Sequence, residues 1–278
     1  MMNRTASQPR RRHSYMALAG GMAAAIGLLC MGNAPSARAQ TMWDNIDGHL
    51  GTLAPENLNK ERPAPPADFT GTWQIDMKVG WQFKPLPKLK PDAQAVYDAQ
   101  QAAAKAGKAA DQYIGQCWPP GMPVMMTRVW PMNMIQLPTA LVMVANFENQ
   151  VRWVFMDGRD HLDPDLYVPT YNGESIGHWE GNELVIHTQG FATEAHTVDG
   201  IPISDQFKIV ERMSMSDDGE TIDVYYTMTD PVNWEGEWKS HKRYHRMHNA
   251  DFVEVHCLPN TNDGIPGLGD AYQVDTGE

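Results

Sequence analysis

Phe207-Lys208-Ile209-Val210-Glu211-Arg212-Met213-Ser214-Met215, then Asp217-Asp218-Gly219-Glu220 and a second strand at 221–229, is the stretch that decides the fold. Phe207, Ile209, Glu211, Met213 and Met215 share one face, while Lys208, Val210, Arg212 and Ser214 share the other. A period of two belongs to a strand with one buried side, because successive side chains point to opposite faces. The Asp-Asp-Gly-Glu segment supplies the turn of a hairpin. Working outward, strands are expected at 132–137, 140–147, 150–157, 238–247 and 252–257. A further hairpin joins 176–180 to 183–188 across Gly181-Asn182. Short strands joined by tight turns predict a mainly β protein, an antiparallel barrel or sandwich. One helix interrupts them at 92–110: Pro91 suits its first turn and alanine dominates it. Its apolar content is mostly alanine, which places it on the surface. The Pro-rich run from Cys117 to Pro123 reads as a stiff loop.

Residues 1–39 read as a signal peptide. Arg10, Arg11 and Arg12 precede an apolar run from Tyr15 to Met31 that is too short and too rich in Gly and Ala to span a bilayer. Ala37-Arg38-Ala39 is an A-x-A site, so cleavage after Ala39 and a periplasmic location are expected. The adjacent arginines favour the twin-arginine (Tat) route, with Sec as the alternative. Residues 40–68 lack periodicity and read as a linker or arm. Residues 69–260 form a single β domain, and 261–278 an irregular tail.

The chain carries a net charge of −12, and the signal takes five arginines and no acid with it, leaving −17. Such an acidic surface argues against nucleic acid or anionic lipid as partners, and no second hydrophobic run is long enough for membrane insertion. The oligomeric state is not legible. Export also removes Cys30, leaving Cys117 and Cys257 as an even pair in an oxidising compartment, where a disulfide is expected.

The opening Gly71-Thr72-Trp73 is similar to the G-x-W of lipocalin-like barrels, in which the Trp plugs one end. A longer resemblance runs from 69 to 260. Cys117-x-Pro-Pro-Gly-Met-Pro, Asp157-Gly158-Arg159-Asp160-His161 and Ser175-Ile-Gly-His-Trp-Glu-Gly-Asn-Glu-Leu-Val-Ile occur in order, with Glu211-Arg212 and Thr229-Asp230-Pro231 after them. With these motifs the chain resembles a large group of exported, mostly uncharacterised proteins of environmental Gram-negative bacteria. Many members occur in bacteria that degrade recalcitrant organic compounds. The resemblance therefore implies a hydrophobic small-molecule ligand, aromatic or polycyclic, and no particular activity.

The densest chemistry lies around 157–179. The expected catalytic set is His161, His178, Arg159, Asp157 and Tyr171. An imidazole titrates near neutral pH and serves as general acid or base. Arg159 would hold an anionic oxygen and Tyr171 would donate a proton, although Asp157 and Arg159 read equally well as an ion pair fixing a turn. Trp153, Trp179, Met125 and Met134 would enclose an apolar ligand. If the face of His178 is the inner one, and if the loop after Asp157 returns to the same rim, both histidines line one pocket.

Other motifs compete. Gly173-x-Ser175-x-Gly177 fits a nucleophile elbow in letters, but a strand instead of a helix follows it. His241 and His245 would share a strand face too far apart to chelate one ion, with His248 in the turn. Met122, Met125, Met126, Met132 and Met134 suit either copper(I) or packing. The leading expectation is a cofactor-independent enzyme, a lyase, isomerase or hydrolase acting on a hydrophobic molecule. A non-catalytic carrier of such a molecule and a metal protein using the His or Met clusters are the alternatives.

Overall fold

The computed structural model describes residues 45, 48–106, 117–166 and 168–255. In chain order the elements begin with α1 (Pro55–Leu58), β1 (Gly71–Ile75), β2 (Lys88–Leu89), α2 (Pro91–Lys105) and a 3₁₀ turn (Val124–Thr127). The strands β3 (Met132–Gln136), β4 (Ala140–Ala145), β5 (Val151–Phe155), β6 (Glu174–Glu180) and β7 (Glu183–Gln189) follow. Then come β8 (Thr197–Val198), β9 (Ile201–Pro202), β10 (Lys208–Met215), β11 (Thr221–Thr229), β12 (Trp234–Glu235) and β13 (Trp238–Arg246). Nine strands close into a barrel in the order β1-β13-β11-β10-β7-β6-β5-β4-β3, with β3 pairing back onto β1. The architecture is thus the barrel of the two expected forms, with α2 as its one sizeable helix. Among the described residues, no helix is long and apolar enough to cross a membrane.

Neighbouring barrel strands are antiparallel with one exception: β5 and β6 run parallel, Val154 opposite Ser175. Nine is an odd number, so a barrel of alternating strands closes only if one pair is parallel. A parallel pair needs a long crossover, and residues 156–173 provide it. The two ends of that loop therefore lie at opposite ends of the barrel, which corrects the expectation that they return to one rim.

The alternation read from the sequence is the alternation of burial. Ile209, Glu211 and Met213 on β10 are buried, and so are Ile222, Val224, Tyr226 and Met228 on β11. Met132, Met134, Leu141, Met143, Val154, Leu184 and Ile186 complete the inner wall. Each such side chain contributes about 1.5–3 kcal/mol through the apolar surface it removes from water. Trp73 is fully buried at the end where β1 begins, its Nε1 donating to Phe69 O at 2.9 Å. Arg246, at the end of β13, lies 4.3 Å over its ring and donates to Thr70 O. Gly71 makes this stack feasible, because a Cβ there would run into the Arg246 guanidinium. The opposite end is packed by aromatic contacts, Phe191 with Phe207, Phe207 with Trp234 and Trp234 with Trp238.

The strand expected at 252–257 is not formed over its described part. Val255 makes only an isolated bridge to Phe147. β1 already has β13 on one side and β3 on the other, so the closed barrel offers no edge to a further strand. Cys257, and with it the expected Cys117–Cys257 pairing, lies outside the described residues, as do 1–39, 107–110 of the expected helix and 261–278.

Candidate functional site

At the Trp73 end, a cleft of about 900 Å³ opens beneath residues 58–68. Its barrel side is made by Gln136 at the end of β3, Leu137 and Pro138 in the β3–β4 turn, Met156, Asp157 and Gly158 after β5, and Trp179 near the end of β6. Leu58, Lys60, Arg62, the prolines 63, 65 and 66, and Asp68 supply the other wall. Trp179 stands on the face of β6 that points inward, with Ser175 and Gly177, because side chains alternate along the strand. Its ring stacks on Phe69, centroids 5.7 Å apart and planes at 2°. Phe69 is fully buried while Trp179 is only partly covered, so the indole presents an aromatic surface to the cleft.

The proline-rich segment is a strap held at both ends. At one end Asn57, buried in α1, donates from Nδ2 to Asp157 Oδ2 at 3.0 Å. Arg62 donates back to Asn57 O and Oδ1, both at 2.6 Å. Arg159 holds Asp157 with two bonds, Nε to Oδ1 at 2.8 Å and Nη2 to Oδ2 at 2.7 Å, and reaches Thr52 Oγ1 as well. Its guanidinium lies 4.1 Å over the Phe155 ring. Burial alone would raise the Asp157 pKa, but the hydrogen bonds from Arg159 and Asn57 outweigh it and hold the carboxyl at about 2. At the other end Gln136 accepts from Phe69 N and donates to Ala67 O. Asp157 and Arg159 are therefore the fastener of the strap, the ion-pair reading of the two foreseen. Asp157 also lines the cleft.

The expected histidines do not enter this cleft. His178 shares a face with Glu174, Ile176 and Glu180, and that face is the outer wall. Its side chain is 52% exposed and lies 3.1 Å from Glu180 Oε1. The imidazole stacks on His187 of β7, with centroids 5.8 Å apart and planes at 9°. His161 sits on the crossover, its Nδ1 2.8 Å from Glu174 Oε2, and Leu162 N donates to the same carboxylate. Burial and the nearby His178 and His161 push His187 below its ordinary pKa. The condition set for His178, that its face be the inner one, is thus not met. Charged Glu174 and Glu180 on its face, against Ser175, Gly177 and Trp179 on the other, decide which side faces water.

The remaining expected residues are dispersed. Tyr171 OH donates to Glu194 O, with its ring near Trp118 and His196. Gly121, at φ +63°, approaches this group so closely that a Cβ would meet Tyr171 O and the His196 ring. Trp153 lies on the outer wall, opposite Val142. Met134 is buried in the barrel, and Met125 in the 3₁₀ turn. Met122, Met126 and Met132 are likewise core side chains. His241, His245 and His248 each bond a different carboxylate, Asp223, Asp76 and Glu220. Among the described residues no three His, Cys, Asp or Glu are grouped as a metal would need.

Sequence reasoning missed a buried polar cluster inside the barrel. Arg152 on β5 forms a two-pronged salt bridge to Glu211 on β10, both essentially without solvent contact. Its Nε donates to Ser175 Oγ at 3.1 Å and its Nη2 to Thr188 Oγ1 at 3.0 Å, and these hydroxyls lie 2.9 Å apart. Ser175, within strand β6 and followed by strand β7, is a member of this cluster, not an elbow nucleophile. Tyr226 and Tyr244 lie close by; burial raises both phenols and Glu211 adds to the effect. Lys242 is a second buried charge. It donates to Gly80 O and Gln82 O, and burial pushes its pKa down to about 8. The signal for Glu211 was in the sequence, a carboxylate on an apolar strand face.

A second cleft, of about 880 Å³, lies at the opposite end around Gln189, Lys208 and Trp234. Among the described residues, neither cleft has a histidine in its lining. No family model matches the chain, and no curated protein matches it.

Proposed function

We propose that the chain is an exported, periplasmic protein that binds a flat hydrophobic small molecule, aromatic or polycyclic, in the cleft beneath the 58–68 strap, and that it carries this molecule instead of transforming it. The observation that supports the reading is the Trp179 ring, backed by Phe69 and joined in the cleft by the apolar Met156, Leu137 and Pro138. Binding sites for small molecules are largely preformed, mainly apolar and roughly 300–1,000 Å³ in volume. The cleft falls in that range. A carrier needs no imidazole in the pocket, and Asp157 with its partner Arg159 serves to hold the strap. Membership of the motif-sharing exported group, and the Cys117–Cys257 disulfide, belong to the same proposal. The disulfide is tested by counting free thiols in protein exported to the periplasm.

A second reading keeps the enzyme. It is favoured by one observation, the His161 ring oriented by Glu174 in the manner of a positioned acid or base. No cofactor enters either reading. Incubating the exported chain with a panel of aromatic and terpenoid compounds separates them: binding without turnover is expected. Turnover lost in His161→Gln would establish the enzyme, and absence of any binding would sink the carrier.

A further inference from the structure

We propose that the ligand of this cleft is an anion, a flat aromatic carboxylate whose ring lies on Trp179 and whose charge is met by Lys60 and Arg62. The proposal rests on reading the cleft as the binding site, and adds what the site selects. The charges in the lining do not cancel. Asp157 is neutralised by Arg159 through two hydrogen bonds, so this pair presents no net charge to a ligand. Asp68 accepts from Thr70 N and has no cationic partner among the described residues. Among the described residues Arg62 donates only to uncharged groups, Asn57 O, Asn57 Oδ1 and Lys60 O, so its charge is oriented but not balanced there. Lys60 has no side-chain partner among the described residues. Two cations therefore stand against one unpaired carboxylate in the lining, a local reversal in a chain whose net charge is −12.

The geometry separates two tasks. Phe69 fixes the Trp179 plane from behind, which favours a flat ring on the open side, since aromatic pairs gain from offset stacking. Arg62 is tied to Asn57 at the fastened end of the strap and cannot swing far. Its role is to fix positive potential there. Lys60 is exposed and has the reach and rotational freedom to contact a carboxylate directly. A neutral ring would use only the first task, and a carboxylated ring uses both.

The test is calorimetric titration of the exported chain with 2-naphthoate and, separately, 2-naphthalenemethanol, which keeps the ring and removes the charge. Naphthoate is expected to bind about tenfold tighter, with its advantage shrinking at high salt as exposed charges are screened. Lys60→Gln is expected to remove most of that advantage, bringing the affinity for naphthoate close to that for the alcohol. Trp179→Ala is expected to weaken both probes. Equal affinities for the two probes, or no effect of Lys60→Gln, overturns the anion assignment and leaves the cleft reading standing. Failure of both probes to bind, or binding that Trp179→Ala does not weaken, overturns the cleft reading itself.

Discussion

Inside the barrel Arg152 meets Glu211, Ser175, Thr188 and the sulfur of Met143, whereas at the mouth, among the described residues, the Lys60 ammonium has no side-chain partner and Arg62 donates to backbone and amide oxygens. Both regions carry guanidinium groups, but with opposite energetics. In the interior a charge survives only when each of its polar atoms is partnered, because desolvation costs several kcal/mol per ion. At the mouth solvent relieves that demand, so a cation can remain available. The contrast teaches which polar groups to read as structure and which as function: the complete network holds strands β5, β6, β7 and β10 together, and the incomplete one faces the cleft.

The comparison is broken most severely from the inside. Glu211→Gln leaves a buried guanidinium without its counter-charge and is expected to cost about 3–5 kcal/mol, measured by urea unfolding. Replacing Arg152 and Glu211 together by methionine is expected to cost less than the sum of the single changes, since no charge is then left unpaired.

A smaller effect is expected at the fastener. Asp157→Asn weakens its bonds to Arg159 and is expected to cost about 1–3 kcal/mol while loosening the strap. The pH dependence has a definite sign. The folded pKa of Asp157, about 2, lies below the ordinary 3.8, so its contribution is complete above about pH 4 and is lost as pH falls toward 2. Acid unfolding curves of the wild type should therefore be steeper in that window than those of Asp157→Asn.

The smallest effects are expected on the outer wall. His178→Gln removes a half-exposed ring and should change stability by no more than about 0.5 kcal/mol, with affinity for naphthoate unaltered. A large loss of affinity in that variant would move the site from the mouth to the wall.

The strands were legible because burial on one side imposes a period of two, as 207–215 shows. Alternation also placed Ile176, His178 and Glu180 on a common face, but it does not say which face is inner. Nor does it say which strands are neighbours: closing an odd number of strands, a property of the whole barrel, requires a parallel pair, and the fold puts it at β5 and β6. Glu211 was visible on an apolar face, yet its partner Arg152 lies on another strand far back in the chain. The strap was least legible of all. It has no periodicity, and its position is set by Asn57, Gln136 and Asp157, three side chains whose proximity only the fold creates.

The central claim is that the mouth beneath the strap, rather than the outer wall or the opposite cleft, receives the ligand. Amide chemical-shift mapping during titration with 2-naphthoate tests it most directly. The account predicts that the largest shifts fall on Leu137, Met156, Gly158 and Trp179, and on Lys60 across the cleft. Shifts centred on Gln189, Lys208 and Trp234, or on His161, His178 and His187, would contradict it.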